Sequence, residues 1–140
     1  MEPKSKRLAG ILLIVLPTVA YGGASLLYLL TNSEDGYVNN PLRQDLWRAG
    51  HAHAGVLLIL SLVILKYVDD ANLSETMKQI VRVGVPFSAI IIPAAFFLSV
   101  LDPESTEPNA WIYLAYVGFA ILTFTFIVLG IGLIKKAPNP

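Results

Sequence analysis

The sequence predicts an all-α integral membrane protein: a four-helix bundle of transmembrane spans with both termini on the cytoplasmic side. Three observations predict it. Hydrophobic residues make up 55% of the 140 and charged residues 14%, against about 25% charged in an ordinary soluble domain. The mean hydropathy is +0.63, and so short a chain has too little interior to hide that much apolar surface from water. Four apolar runs, each long enough for a hydrocarbon core of about 30 Å, are separated by short polar segments, and lysine and arginine collect in alternate segments.

The first run spans residues 8–30. Pro17 and the pair Gly22-Gly23 would weaken a soluble helix, but within a bundle neighbouring helices satisfy the freed backbone groups. A signal peptide is the rival reading, because Lys4, Lys6 and Arg7 precede the run. The run exceeds the roughly 7–15 residues of a signal's apolar region and no clear cleavage site follows, so it is expected to be a retained span. Residues 31–46 are polar and rich in turn formers. The second run spans 48–68, with Lys66 placed to reach the interface. In the next loop, Asn72 and Glu75 have capping-box spacing, and Asp69-Asp70 reads as a solvated loop. The third run, 80–101, carries Pro86 and Pro93. The fourth, 111–134, opens on Trp111, Tyr113 and Tyr116, an interfacial aromatic group. Gly118, Gly130 and Gly132, with Ala115 and Ala120, predict close helix contact there. The whole chain is one four-span domain.

Orientation follows from the basic residues. Lys4, Lys6, Arg7, Lys66, Lys78, Arg82, Lys135 and Lys136 fall on one side of this scheme, and only Arg43 and Arg48 on the other. The positive-inside rule puts the majority side in the cytoplasm. The acidic segments with Glu34, Asp35 and Asp45, and with Asp102, Glu104 and Glu107, then face outward.

Several functions are excluded. A formal net charge of zero gives no electrostatic support for nucleic-acid binding. The absence of cysteine removes disulfides, thiolate ligands and covalent heme attachment. No carboxylate falls in the middle of a span, against an ion-coupled transporter. No phosphate loop, zinc-protease motif or nucleophile elbow occurs.

The candidate site is Trp47-Arg48-Ala49-Gly50-His51-Ala52-His53-Ala54-Gly55, where the second span enters the outer leaflet and where both histidines of the chain lie. Ionisable groups at membrane depth are functional candidates by default. The small residues around them leave bare helix surface, suited to a flat macrocycle or to close helix packing. Residues two apart on a helix diverge by about 200°, so His51 and His53 cannot easily share one metal. Trp47 falls on the side of His51 and Ala49 on that of His53. Arg48, three residues before His51, is placed to pair with an anion. A histidine at a helix entrance also serves simply as an interface residue, bonded to a carbonyl or headgroup. On the first span, Tyr21, Ser25 and Tyr28 share a face, either lining a pocket at the depth of the histidines or forming an aromatic belt with Ser25 bonded back to its own helix.

The segment from Trp47 to Gly55 resembles the Trp and Arg-Ala-His-Ser-Gly stretch that enters the second span of styrene oxide isomerases. Ala52-His53-Ala54-Gly55 matches the Ala-His-Ser-Gly part. The plan is similar too: a basic N-terminus, four spans, a long first loop and a Phe-rich third span. The resemblance implies heme b held by a single axial histidine between protomers of a trimer, with ferric iron acting as Lewis acid to isomerise a lipophilic epoxide to a carbonyl compound. Carried over, the ligand is His53, with His51 as the competing assignment and Arg48 as a further contact to the cofactor. Two positions depart from the family: Ile59 stands where it has an Asn, and Phe96-Phe97 where it has a Tyr. Phe97 is the expected pocket residue there. The implied partners are membrane lipid, further copies of the chain and a lipophilic small molecule; the implied location is a bacterial inner or plasma membrane. Two other classes stay open, a membrane heme protein that binds gas or carries electrons, and a cofactor-free small subunit of a membrane complex.

The orientation is directly testable. Reporters fused at Pro140 and within 69–77 are expected to read as cytoplasmic, and fusions within 31–46 as external; an external C-terminus would refute the four-span scheme.

Overall fold

A computed structural model describes residues 1–32 and 36–135. Glu34, Asp35, Lys136 and Pro140, whose sides of the membrane are expected above, lie outside the described residues. Among those described, all regular structure is helical. Four helices, α1 (Pro3–Thr31), α2 (Pro41–Tyr67), α3 (Glu75–Leu98) and α4 (Leu114–Ile134), are accompanied by 3-10 turns at Tyr37–Asn39, Val68–Asp70 and Ala110–Tyr113. Each long helix is apolar enough to cross a membrane.

The helices extend beyond the apolar runs because local chemistry starts them earlier. Pro3 occupies the first turn of α1, where a missing N–H costs nothing. Pro41 does the same for α2, and the Asn40 side chain caps it by accepting from the Arg43 N–H at 3.0 Å. The polar stretch 41–47 is therefore helix rather than loop. The cap of α3 is Ser74, which accepts from Met77 N–H at 3.3 Å, and not Asn72; the Asn72 N–H donates instead to the Gly132 carbonyl at 2.8 Å. Pro17, Pro86 and Pro93 all sit inside unbroken helices.

α1 packs along α2, α2 along α3 and α3 along α4. α3 is the most enclosed, with 50% of its apolar window inside the protein; for α1 the figure is 6%. α1 thus leaves most of its apolar surface uncovered by the rest of the chain. One core layer joins Leu12, Leu57, Leu58, Leu65, Ala89 and Ile92. A second joins Ile64, Val68, Ala71, Val81, Val85 and Leu129.

The α3–α4 contact uses missing side chains. Without a hydrophobic force between helices in lipid, close backbone approach supplies the packing energy. A methyl group on Gly84 would collide with Thr125 and one on Gly118 with Ile92. The Ser88 hydroxyl donates to the Gly84 carbonyl at 3.0 Å and lies 3.1 Å from that of Gly118 across the seam. Gly130 departs from expectation and faces open space.

One end of the bundle is closed by a buried ion cluster. The Arg82 side chain is 1% exposed. Its Nη2 lies 2.6 Å from Glu2 Oε2 and 2.8 Å from Asp69 Oδ1, and its Nε donates to Ser5 Oγ at 3.0 Å. Ser5 Oγ donates to Asp69 Oδ1 at 2.7 Å, and the Glu2 backbone N–H to Asp69 Oδ2 at 2.6 Å. Asp69 is therefore not a solvated loop residue: its side chain is 6% exposed, drawn inward because a buried guanidinium requires an anion beside it. Asp70 is exposed, as expected. Together with the Asn72–Gly132 bond, the cluster brings the start of α1, the α2–α3 connection and the end of α4 to one side, as four alternating spans require.

Arg82→Leu removes the cation beside the enclosed Asp69 carboxylate and is expected to cost up to about 3–5 kcal/mol, read as a lower unfolding midpoint in detergent. Exposed Arg48→Leu serves as the control; equal midpoints for the two variants would refute a stabilising role for the cluster.

Candidate functional site

The opposite end is clamped by polar side chains of early α2. Asn40 Nδ2 donates to the carbonyls of Pro103 and Ser105, both at 2.9 Å. Arg43, 8% exposed, donates to the Leu101 carbonyl at 3.2 Å and lies over the Trp47 ring at 4.2 Å, a cation–π contact. Trp47 Nε1 donates to the Phe97 carbonyl at 3.3 Å. Gln44 reaches back to the carbonyls of Tyr37 and Val38. An open cavity of about 1000 Å³ lies beside this clamp, lined in part by Arg43, Trp47, Asn40 and Pro103. These bonds fix the depth and rotation of α2, and so place the histidines below.

His51 and His53 project to opposite sides of α2, as helical geometry requires. His51 faces α1. A methyl group built on Gly23 would lie 3.2 Å from its Cε1 and Nε2, and one on Gly22 3.6 Å from its Nδ1. The glycine pair is thus the floor on which the imidazole rests. His51 makes no hydrogen bond among the described residues.

His53 faces α3 and α4. Its ring centroid is 5.3 Å from that of Phe96 and 5.7 Å from that of Phe119. Its Nδ1 is 2.7 Å from the Ala49 carbonyl oxygen. A carbonyl only accepts, so Nδ1 carries the proton, and in the neutral ring Nε2 keeps its lone pair. In that form Nε2 is the nitrogen open to a ligand, with the second nitrogen held by a backbone carbonyl. The described residues contain no group of three or more His, Asp or Glu able to hold a bare metal ion. A porphyrin, which brings four ligands of its own, asks only one of the protein.

The remaining expected residues are not gathered at either histidine. Arg48 is exposed and bonded within its own helix, to Asp45 Oδ1 at 2.6 Å and to the Gln44 carbonyl at 3.2 Å. Tyr21 and Tyr28 do share a face, and a shallow groove of about 390 Å³ runs between them over Ala24 and Ser25. Tyr21 is 77% exposed, however, and Gly22 and Gly23, which meet His51, lie about 100° and 200° round the helix from it. The Ser25 hydroxyl bonds to the Tyr21 carbonyl at 2.9 Å. Phe97 packs into the α2–α3 seam, its ring close over Gly50 and edge-on to Trp47 at 6.0 Å, while its neighbour Phe96 takes the place beside His53. Ile59 is exposed. Sequence reasoning missed Phe119, for which no local signal exists, and Arg43, whose signal was a basic residue in a run of helix-cap chemistry.

Tyr37 completes the outer end. It is fully buried, its ring 5.7 Å from that of Trp47, and its hydroxyl has no hydrogen-bond partner among the described residues. Burial pushes that hydroxyl above its ordinary value, against the lowering influence of Arg48 and Arg43.

No family model, curated protein or solved structure matches the chain.

Proposed function

We propose that the chain is a membrane-embedded heme b protein with His53 as the axial ligand. The observation that carries this reading is the bond from His53 Nδ1 to the Ala49 carbonyl, which leaves Nε2 as a donor atom at membrane depth. The chemistry of the site fits a porphyrin: one imidazole, no competing thiolate, two aromatic rings and the small residues Ala49 and Ala52. None of the three cavities described is lined by His53. The isomerase resemblance, which implies a ligand held between protomers of a trimer, supplies a second copy of the chain as the other wall.

When bound, ferric heme supplies a Lewis-acidic iron for an epoxide oxygen, the chemistry that the resemblance implies. The protein's own part is positional. Ala49 fixes the rotation of the His53 ring, Phe96 and Phe119 exclude water from one side of it, and the exposed apolar helix faces admit a lipophilic substrate from the bilayer. Isomerisation of such an epoxide to a carbonyl compound is the activity proposed. A heme protein binding gas or carrying electrons would share the ligand but not the turnover.

Detergent-purified protein from cells supplied with heme is expected to show a Soret band. His53→Ala should reduce heme per chain at least tenfold, while His51→Ala should keep more than half. If both variants retain full heme the ligand is misassigned. A colourless wild type would favour a cofactor-free subunit instead. Turnover of an aryl epoxide to an aldehyde separates the isomerase from the gas or redox protein.

A further inference from the structure

Folding sorts the charges at the end of the bundle closed by Arg82. Glu2 and Asp69 are drawn to its guanidinium, at 2.6 and 2.8 Å, and Glu75 Oε1 lies 3.7 Å from Lys78 Nζ. The basic residues that open α1 go the other way. Ser5, fully buried, marks the side of α1 that meets the cluster. Lys4 and Lys6 lie about 100° round the helix on either side of it, and Arg7 about 200° from it. All three are exposed, and none forms an ion pair among the described residues. α1 contains no acidic residue of its own, and the exposed Asp70 belongs to the α2–α3 connection. The outer surface of the first two turns of α1 is therefore cationic throughout.

That arrangement is unfavourable within the chain alone. Like charges three residues apart repel, and cations at the positive end of a helix are disfavoured. The first turn has no acid and the N-cap no side-chain bond to offset them. The three cations occupy about 5 Å of helix axis immediately before the apolar run that begins at Leu8. Their level is that of the lipid headgroups.

We propose that the exposed start of α1 is a docking surface for anionic phospholipid, with Lys4, Lys6 and Arg7 pairing with headgroups of net negative charge in the cytoplasmic leaflet. The surface gives α1, of whose apolar window only 6% is inside the protein, a second attachment. Ser5 and Glu2 draw the start of the helix inward, and lipid holds its outer side at a fixed depth. The surface is independent of whether His53 binds heme.

The test uses the full chain in bilayer nanodiscs made of equal parts phosphatidylcholine and phosphatidylglycerol. Native mass spectrometry reads the ratio of the two lipids retained on the released protein. The wild type is expected to retain phosphatidylglycerol preferentially. Each cation replaced, as in Arg7→Gln, should lower that preference by up to about fivefold, and Lys4→Gln, Lys6→Gln and Arg7→Gln together should abolish it. Lys4→Arg with Lys6→Arg, which keeps the charge, should retain it. Exposed Arg48→Gln, at the opposite end of α2, should leave it unchanged. A wild type without preference, or a triple glutamine variant that keeps it, would overturn the surface. So would an equal loss in the arginine variant or in Arg48→Gln.

Discussion

Arg82 sets the terms for the rest of the bundle. A guanidinium enclosed by protein at the edge of a membrane is tolerable only with anions and acceptors around it, and the nearest are far away in sequence. Glu2, Ser5 and Asp69 come from the start of α1 and from the turn after α2, and they converge on one side chain of α3. That requirement fixes the ends of three helices at once. It matters most for α1, which buries so little apolar surface that sliding or rotation would otherwise cost little.

At the far end, the polar first turns of α2 serve the same purpose through hydrogen bonds and a cation–π contact. Asn40 both caps its own helix and binds the loop after α3, and Arg43 and Trp47 tie α2 to the end of α3. With both ends anchored, α2 has a single rotation. The two histidines then acquire different surroundings from one helical period: a floor of glycine backbone for His51, and a carbonyl and two phenylalanines for His53.

The spans were legible because lipid imposes a length and a composition that four separate runs meet. The divergence of the histidines was legible because it needs only the helical period. The start of α2 was not, since polarity at 41–47 looks like a loop until Asn40 and Pro41 are read as a helix entrance. Asp69 was misjudged for a different reason. Beside Asp70 in a polar stretch it looks solvated, and only the fold reveals that its counter-charge is on α3. Tyr21 and Phe97 show the limit of face arguments: periodicity groups residues on a helix but does not say which neighbour, or whether lipid, that face meets.

The Arg82 cluster also bears on biogenesis. Its members are separated by as many as 80 positions, and the guanidinium is the last of them to be synthesised. The first two spans are therefore synthesised before the cation that joins their ends, and it is the packing of α3 that brings that cation to Glu2, Ser5 and Asp69. α3 is thus the element that ties the ends of the earlier helices together.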